Sequence, residues 1–189
     1  NFLAMGRKLL ADPDLPKKLM KTEPKTIKPC HYSYECVSRI FLNGKMVCAS
    51  DVGLGKKEKE HSIKNLAIIG AGPAGLELAV QAANRKIHVS LYEKQSFIGG
   101  NLIGAAIIYE PYEKLLNYYQ KPIKNDFIDV HFNKEIELDD LHDKFFDNQM
   151  LVLASGALPG PSRVNATNIQ AWLNPFIHEN KGNVKLIKS

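Results

Sequence analysis

The 189-residue sequence predicts an α/β fold built on a parallel sheet. Short apolar runs of the kind that form buried strands alternate with stretches in which apolar residues recur every three to four positions. That alternation is typical of a parallel sheet with helices packed on its faces. The first strand, residues 65–69, runs into a glycine-rich segment and then a helical stretch. These observations place the α/β unit within residues 64–189.

The elements of this unit follow one another along the chain. Residues 65–69 and 87–92 predict the first two strands, and the helix between them carries an apolar stripe of Leu76, Ala79, Val80 and Ala83. A second helical stripe is marked by Tyr112, Leu115, Leu116 and Tyr119. Residues 128–132 predict a third strand, Leu138, Leu141 and Phe145 a short helix, and residues 150–154 a fully apolar strand. One further short helix is expected before this unit, near residues 14–21.

The segment after the first strand has the spacing of a phosphate-binding turn. Gly70 permits the tight turn, Gly72 lets the backbone approach a pyrophosphate, and Gly75 lets the helix pack close to the strand. The helix then begins at Pro73 and Ala74, where free N–H groups and the helix dipole favour an anion. The spacing predicts a Rossmann-like FAD/NAD(P)-binding domain; the alternative is an empty turn that serves only helix packing.

An acidic residue and a second strand end complete this prediction. Glu93 ends the second strand at the distance expected for a residue that binds the adenosine ribose, and Lys94 is placed in the same site. Ser155 and Gly156 follow the last predicted strand. Because ligands of such sheets bind at the carboxyl ends of the strands, these residues and the glycine turn are expected to surround one nucleotide.

Composition excludes several classes of partner. The sequence is 44% hydrophobic and 24% charged, and it has no apolar run near the roughly 20 residues that cross a membrane. The net charge of +5 is scattered and forms no basic stripe interleaved with aromatic residues, so no nucleic acid is expected. The first residue is Asn1, and we expect a piece of a longer protein.

Three cysteines lie close together ahead of the α/β unit. Cys30, Cys36 and Cys48 occur within 19 residues, and Ser33 stands where a short C-x-x-C step would place a fourth thiol. The odd count argues against a disulfide framework and favours a reducing, cytoplasmic compartment. Three interpretations stay open: an iron–sulfur cluster with one hydroxyl ligand, a zinc site that uses His31, or reduced thiols that hold nothing.

In this order, the segments resemble the C-terminal portion of the fused NADH:flavin oxidoreductases, the group of 2,4-dienoyl-CoA reductase and trimethylamine dehydrogenase. Those proteins combine an FMN-binding (β/α)8 barrel, a 4Fe–4S linker and nested FAD- or ADP-binding and NAD(P)-binding domains. The resemblance begins at residues 4–16, which look like the end of the barrel, and runs at least to Ala157. It implies a barrel remnant at residues 1–29, a cysteine-bearing linker at 30–63, and an FAD- or ADP-binding domain at 64–189.

The resemblance also assigns residues to cofactors. Three groups of residues are implied as cofactor contacts: Gly6 and Arg7 for the FMN phosphate; Gly70, Gly72, Pro73, Ala74, Gly75, Glu93, Lys94, Gly99, Gly100, Asn101, Ile136, Ala154, Ser155 and Gly156 for the adenine nucleotide; and Cys30, Cys36, Cys48 and Ser33 for the cluster. No residue is expected to be catalytic, because the six histidines are scattered without a carboxylate partner at suggestive spacing.

Departures from the family bound the expected function. The barrel is missing, Ser33 replaces a cysteine, and residues 180–187 resemble only the first strand of the NAD(P)-binding domain. We expect the FAD-binding portion of an oxidoreductase whose parent passes electrons between NAD(P)H, FAD, an iron–sulfur cluster and FMN. The partners would then be an adenine dinucleotide and the parent's barrel and NAD(P) domains, with no activity in the isolated chain. The alternatives are a non-redox ADP-binding module and a degenerate scaffold.

Overall fold

The structure, a computed structural model, describes residues 4–55, 62–137, 140 and 150–156. The described part contains a four-stranded parallel sheet, which confirms the predicted α/β class. Its strands are β1 (Asn65–Ile69), β2 (His88–Tyr92), β3 (Ile128–His131) and β4 (Met150–Leu153). The spatial order is β3-β2-β1-β4.

All of the strand pairs are parallel, so the carboxyl ends of the four strands meet at one edge of the sheet. The last residue of β1, Ile69, lies opposite Tyr92 of β2 and Leu153 of β4, and Tyr92 lies opposite His131 of β3. The strand order reverses on either side of β1, and an open α/β sheet binds its ligands at such a position.

Three helices form one core with the sheet, and the apolar pattern predicts the first and the third of them. They are α4 (Pro73–Asn84), α5 (Asn101–Ile108) and α6 (Glu110–Tyr119). The predicted stripes on α4 and α6 are buried, and together with the strands they form one core: Leu66, Ile68, Leu76, Ala79, Val80, Ala83, Val89, Leu91, Ile103, Leu115, Leu116 and Tyr119. This core holds the strand ends and the start of α4 in fixed relation.

The helix α5 is an element that sequence analysis missed. Its sequence, residues 101–108, is apolar on nearly all sides, so no periodic stripe distinguishes it from a buried strand. The first strand has the predicted bounds, and each of the other three differs from its prediction by one residue at one end. The short helix expected near residues 14–21 is observed at Leu15–Met20. The helix predicted from Leu138, Leu141 and Phe145, and the strand suggested at residues 180–187, lie outside the described residues.

The N-terminal segment contains three short helices and few buried apolar side chains. They are α1 (Arg7–Ala11), α2 (Leu15–Met20) and α3 (Glu35–Phe41), and a single 3-10 turn lies at Pro24–Thr26. Of the buried hydrophobic residues, Ala11 and Leu15 belong to this segment. Its buried polar residues are Asp12, Lys28, His31 and Ser50. Polar contacts therefore contribute more to its position than a hydrophobic core of its own.

Candidate functional site

The glycine turn after β1 is shaped by close backbone approaches. A Cβ at Gly75 would lie 1.9 Å from the carbonyl oxygen of Gly70, so α4 packs against the turn more closely than any side chain allows. Gly70 has φ +107°, and its Cβ would lie 2.5 Å from the carbonyl oxygen of Ala154. A Cβ at Gly72 would meet nothing within 4 Å. Packing thus leaves no room for a side chain at Gly70 or Gly75, whereas Gly72 has open space beside the backbone.

The start of α4 is available to an anion. Gly72 is the N-cap and offers no side-chain acceptor to the first-turn N–H groups, and Pro73 occupies the first helical position. Ala74 follows at an exposed position of the first turn. Unpaired N–H groups at the end of a 12-residue helix are a favourable place for phosphate oxygens.

A second glycine pair lies directly against this turn. Gly99 and Gly100 adopt positive φ angles of 118° and 51°, and a Cβ at Gly100 would lie 3.2 Å from the Cα of Gly72. The Gly99 N–H donates to the carbonyl oxygen of Ala71 at 2.8 Å, and Asn101 begins α5. Two segments that are distant in sequence therefore form one glycine-lined surface.

Glu93 is buried beneath the turn and has a structural role that the sequence did not reveal. One carboxylate oxygen accepts the Ala71 N–H at 2.8 Å, and the other accepts the Gln95 N–H at 2.9 Å. The residue is 8% exposed. A carboxylate has further lone pairs, so these two bonds leave acceptor capacity for ribose hydroxyls. Lys94, by contrast, is exposed, and its ammonium lies 3.9 Å from a carboxylate oxygen of Glu135.

The remaining predicted nucleotide contacts lie at the same edge of the sheet. The Ala154 N–H donates to the carbonyl oxygen of Ile69 at 2.8 Å, which places Ser155 and Gly156 next to the end of β1. Ile136 is half-buried in the segment after β3. That segment is held to the end of β2 by the bond from the Lys134 N–H to the Glu93 carbonyl oxygen, 2.9 Å long.

The four predicted cluster residues line one small cavity in the N-terminal segment. Cys30, Ser33, Cys36 and Cys48 surround it together with Arg7. The three thiols are free and half-buried. In the part of the chain that the structure describes, no three His, Cys, Asp or Glu residues are grouped to hold a metal ion. Three thiols and a hydroxyl around one cavity nevertheless fit the donor set of an iron–sulfur cluster with one oxygen ligand.

Strained backbone surrounds the serine of this cavity. Tyr32 and Tyr34, on either side of Ser33, have φ angles of 57° and 60°, in the left-handed region that bulky residues rarely adopt. Such conformations persist when the surroundings over-determine them, and they are concentrated at functional sites. The surrounding structure therefore fixes the backbone conformation between Cys30 and Cys36, which is not that of an ordinary turn.

Arg7 lies at the cysteine cavity rather than away from it. Its guanidinium carbon is 5.1 Å from the ring centroid of Tyr32 and 4.6 Å from that of Tyr34. A hydrogen bond with Tyr34, and then the nearby Cys30 and Cys36 thiols, raise the pKa of Arg7. One nitrogen, Nη1, is buried and has no hydrogen-bond partner. An unpartnered cationic donor of this kind favours an anionic group beside it, and the FMN-phosphate contact of Arg7 stays a prediction. Gly6 is exposed beside it.

His31, the nitrogen ligand of the zinc interpretation, lines the same cavity and makes a polar contact through one ring nitrogen. Its Nδ1 lies 2.8 Å from the hydroxyl of Ser50, which also donates to the Pro29 carbonyl oxygen at 2.9 Å. Burial, and then the charge of Lys28, lower the pKa of His31. The Ser50 contact ties the Cys48 region to the Cys30 region.

Sequence reasoning also missed a buried ion pair between the two parts of the molecule. Lys28, two residues before Cys30, contacts Glu77 on α4 with Nζ 2.6 Å from each carboxylate oxygen. Glu77 lies outside the predicted apolar stripe of α4, so the helical pattern gave no signal of its burial. None of the helices within the described residues is long and apolar enough to cross a membrane.

Comparison with known proteins finds a matching family model and several similar proteins. Residues 68–119 match the family model for an NAD(P)-binding Rossmann-like domain. The chain is 29% identical over 167 residues to cinnamate reductase of Clostridium sporogenes, covering 84% of the chain and 25% of that protein. It is 34% identical over 110 residues to NADH oxidase of Thermoanaerobacter brockii, covering 54% of the chain and 17% of that protein.

A solved structure is similar over most of the chain. The structure of 2-naphthoyl-CoA reductase with 2-naphthoyl-CoA matches with a TM-score of 0.79 and 26% identity, covering 91% of the chain and 28% of that protein. The chain spans about a quarter of the length of the relatives that it matches along most of its own length.

Proposed function

We propose, from the confirmed relationship of the chain to one part of the NADH:flavin oxidoreductases, that it is the FAD-binding portion of a redox protein of this kind. Its relatives include a cinnamate reductase, an NADH oxidase and a metal reductase, which supports a redox role. The adenine dinucleotide would lie at the carboxyl edge of the sheet, across the end of β1.

The observation that carries this proposal is the meeting of Gly72 and Gly100. A surface free of side chains is formed there by two separate segments, at the start of a helix whose first N–H groups lack side-chain caps. Nothing in the packing of Gly72 requires glycine, so a ligand is the better reason for its absent side chain. The pyrophosphate would take this place, and the ribose would lie toward Glu93.

The boundaries of the parts remain a proposal as well. Residues 1–29 would be the end of the barrel, residues 30–63 the linker, and residues 64–189 the nucleotide-binding domain. The contrast in burial between residues 4–55 and the sheet supports the boundary before residue 64, because the two parts have different means of stabilisation.

Two further cofactor assignments follow the same proposal. Cys30, Cys36, Cys48 and Ser33 would hold an iron–sulfur cluster, and Gly6 and Arg7 would contact the FMN phosphate of the parent barrel. Within the parent, these groups would supply electron transfer between NAD(P)H and FMN by way of FAD. The residues of this chain would hold and orient them: the glycines by close approach, Glu93 by accepting hydrogen bonds from ribose hydroxyls, and Arg7 by its unpartnered nitrogen. A cytoplasmic location is proposed from the free thiols.

The test is the identity, by mass spectrometry, of any nucleotide that is released when the purified protein is denatured. FAD is the expected result. ADP would favour the non-redox module, in which binding stabilises the fold without turnover. The Gly72→Ala variant is the control, since an added Cβ there meets no protein atom and would obstruct only a ligand. Release of no nucleotide from the wild-type protein, with no binding of added FAD or ADP, would overturn the proposal.

A further inference from the structure

Lys28 connects the cysteine segment to the nucleotide-binding helix. Its ammonium lies 2.6 Å from each carboxylate oxygen of Glu77, and the two side chains are 8% and 11% exposed. Glu77 is on α4, one turn after Pro73. A buried pair of this geometry holds its two segments in one relative position, because separating the charges leaves both without solvent or partner.

The carboxylate of Glu77 is fully engaged. The Tyr119 hydroxyl donates to Oε2 at 2.8 Å, and the Gln81 side-chain amide donates to Oε1 at 3.0 Å. Burial and Glu77 together raise the pKa of Tyr119, which keeps this hydroxyl a donor throughout the neutral range. The acceptor for Lys28 is therefore oriented by α6 as well as by α4.

The backbone of Lys28 is held by a different segment. Its N–H donates to Oδ2 of Asp12 at 2.8 Å, and the same oxygen accepts the ammonium of Lys18 at 2.6 Å. Asp12 is 4% exposed and lies directly after α1, which begins at Arg7. Lys28 is thus fixed at two points, by the Arg7 segment through its backbone and by α4 through its side chain.

We infer that Lys28 and Glu77 are positioning residues that set the placement of the cysteine cavity relative to the nucleotide turn. Cys30 follows Lys28 by two residues, and the glycine turn precedes Glu77 by one helical turn. The inference rests on the proposed function, which makes these two places the cofactor sites. Small displacements between reacting groups have large effects on rate, and a fixed contact prevents them.

The experiment measures the reactivity of each cysteine in the protein without added cofactor. Wild-type and Lys28→Met proteins are labelled briefly with iodoacetamide, and mass spectrometry quantifies modification at Cys30, Cys36 and Cys48. Lys17→Met is the matched control, because Lys17 makes an exposed 3.0 Å pair with Asp14 in the same segment. Leu116→Ala, in the sheet core, is the control for general loss of stability.

The expected result is a selective change. In Lys28→Met, the labelling rate of Cys30 rises at least fivefold over wild type, and that of Cys36, on α3, rises less. In Lys17→Met, the labelling rates of the three cysteines match those of the wild type. In Leu116→Ala, all three rates rise together or none does. Lys28→Arg keeps the positive charge, so its labelling rates stay at the wild-type values. An equal rise at all three cysteines in Lys28→Met, or no rise at Cys30, would overturn the inference.

A second variant keeps the test decisive if Lys28→Met does not fold. Glu77→Gln preserves side-chain volume and an acceptor for Tyr119 while removing the charge that Lys28 contacts, and the same selective rise at Cys30 is expected. Since labelling needs no nucleotide, the outcome is independent of the proposed function. A protein that binds no FAD can still show the selective rise, and one that binds FAD can still lack it.

Discussion

The two parts of the molecule are stabilised in different ways. The sheet and its helices, between residues 65 and 131, bury aliphatic side chains such as Ile68, Leu76 and Leu116 in one continuous core. The N-terminal segment, residues 4–55, contains four of the six buried polar residues of the described chain. Its buried hydrophobic residues are Ala11 and Leu15.

Because of this difference, the sheet part is a scaffold and the N-terminal segment depends on it. Burial of apolar area drives the sheet to form without a ligand, since roughly 25 cal/mol is gained for each Å² removed from water. The N-terminal segment is positioned by specific contacts, such as the ion pair of Lys28 with Glu77. Such a contact fixes the orientation of the segment more than it adds to the net free energy of folding. We expect the sheet to tolerate changes in the cysteine segment and the cysteine segment to depend on the sheet.

The largest effect is expected from a change inside the sheet part. Gly75→Ala should lower the free energy of unfolding by roughly 3 kcal/mol, because the new methyl group would overlap the carbonyl oxygen of Gly70. Urea denaturation measures this loss. Gly72→Ala is the matched change in the same turn: its unfolding midpoint should stay near wild type while FAD binding weakens about tenfold, or 1.4 kcal/mol. Equal midpoints for the two variants would contradict the proposed division between packing and binding.

A smaller loss is expected at Glu93. Glu93→Gln should lower the free energy of unfolding by about 2 kcal/mol, since an amide nitrogen would face one of the two N–H groups that the carboxylate now accepts. Glu23→Gln, at an exposed position, serves as the control and should change stability little. If Glu93→Gln unfolded at the wild-type urea concentration, the buried bonds to Ala71 and Gln95 would not be what holds the turn.

A substitution in the cysteine segment should change the iron content of the protein rather than its stability. Ser33→Cys completes a set of four thiols around the cavity, so we expect a severalfold rise in iron per chain in anaerobically purified protein. Iron is measured by a colorimetric assay after acid release. The same substitution at exposed Ser38, on α3, should leave iron at the wild-type level. Iron near zero in both variants would sink the cluster proposal and leave ordinary thiols.

The smallest effect is expected at alkaline pH, where the two parts meet. Burial, aided by the charges of Glu77 and Asp12, raises the pKa of Tyr118 to about 12. Between pH 10 and 12 the unfolded chain therefore releases a proton that the folded protein keeps, so stability falls as pH rises through this range. Tyr118→Phe should lessen that fall, and exposed Tyr109→Phe should not. Urea midpoints of the wild type and both variants at pH 8 and pH 11 test this. The same fall in midpoint for Tyr118→Phe as for Tyr109→Phe would contradict it.

Several features of the fold follow from local pattern. The stripe on α4 and the run of β1 are each periodic or apolar enough to be predicted, and they are observed with ends shifted by a residue at most. The helix α5 was not predicted because a segment that is buried on most sides carries no periodicity to detect. The glycines of the turn were predicted from spacing, and their close approaches agree with the reasons given for Gly70 and Gly75.

The sequence by itself determined the α/β class, the order of the strands and of the helices other than α5, and the glycine turn, because these depend on contacts between near neighbours. Only the tertiary structure decided which distant residues meet: Gly100 against Gly72, Arg7 at the cysteine cavity, and Lys28 on Glu77. These contacts join residues up to 49 positions apart. No local periodicity reports such contacts, since they depend on how finished elements pack together, and the candidate sites lie where those elements meet.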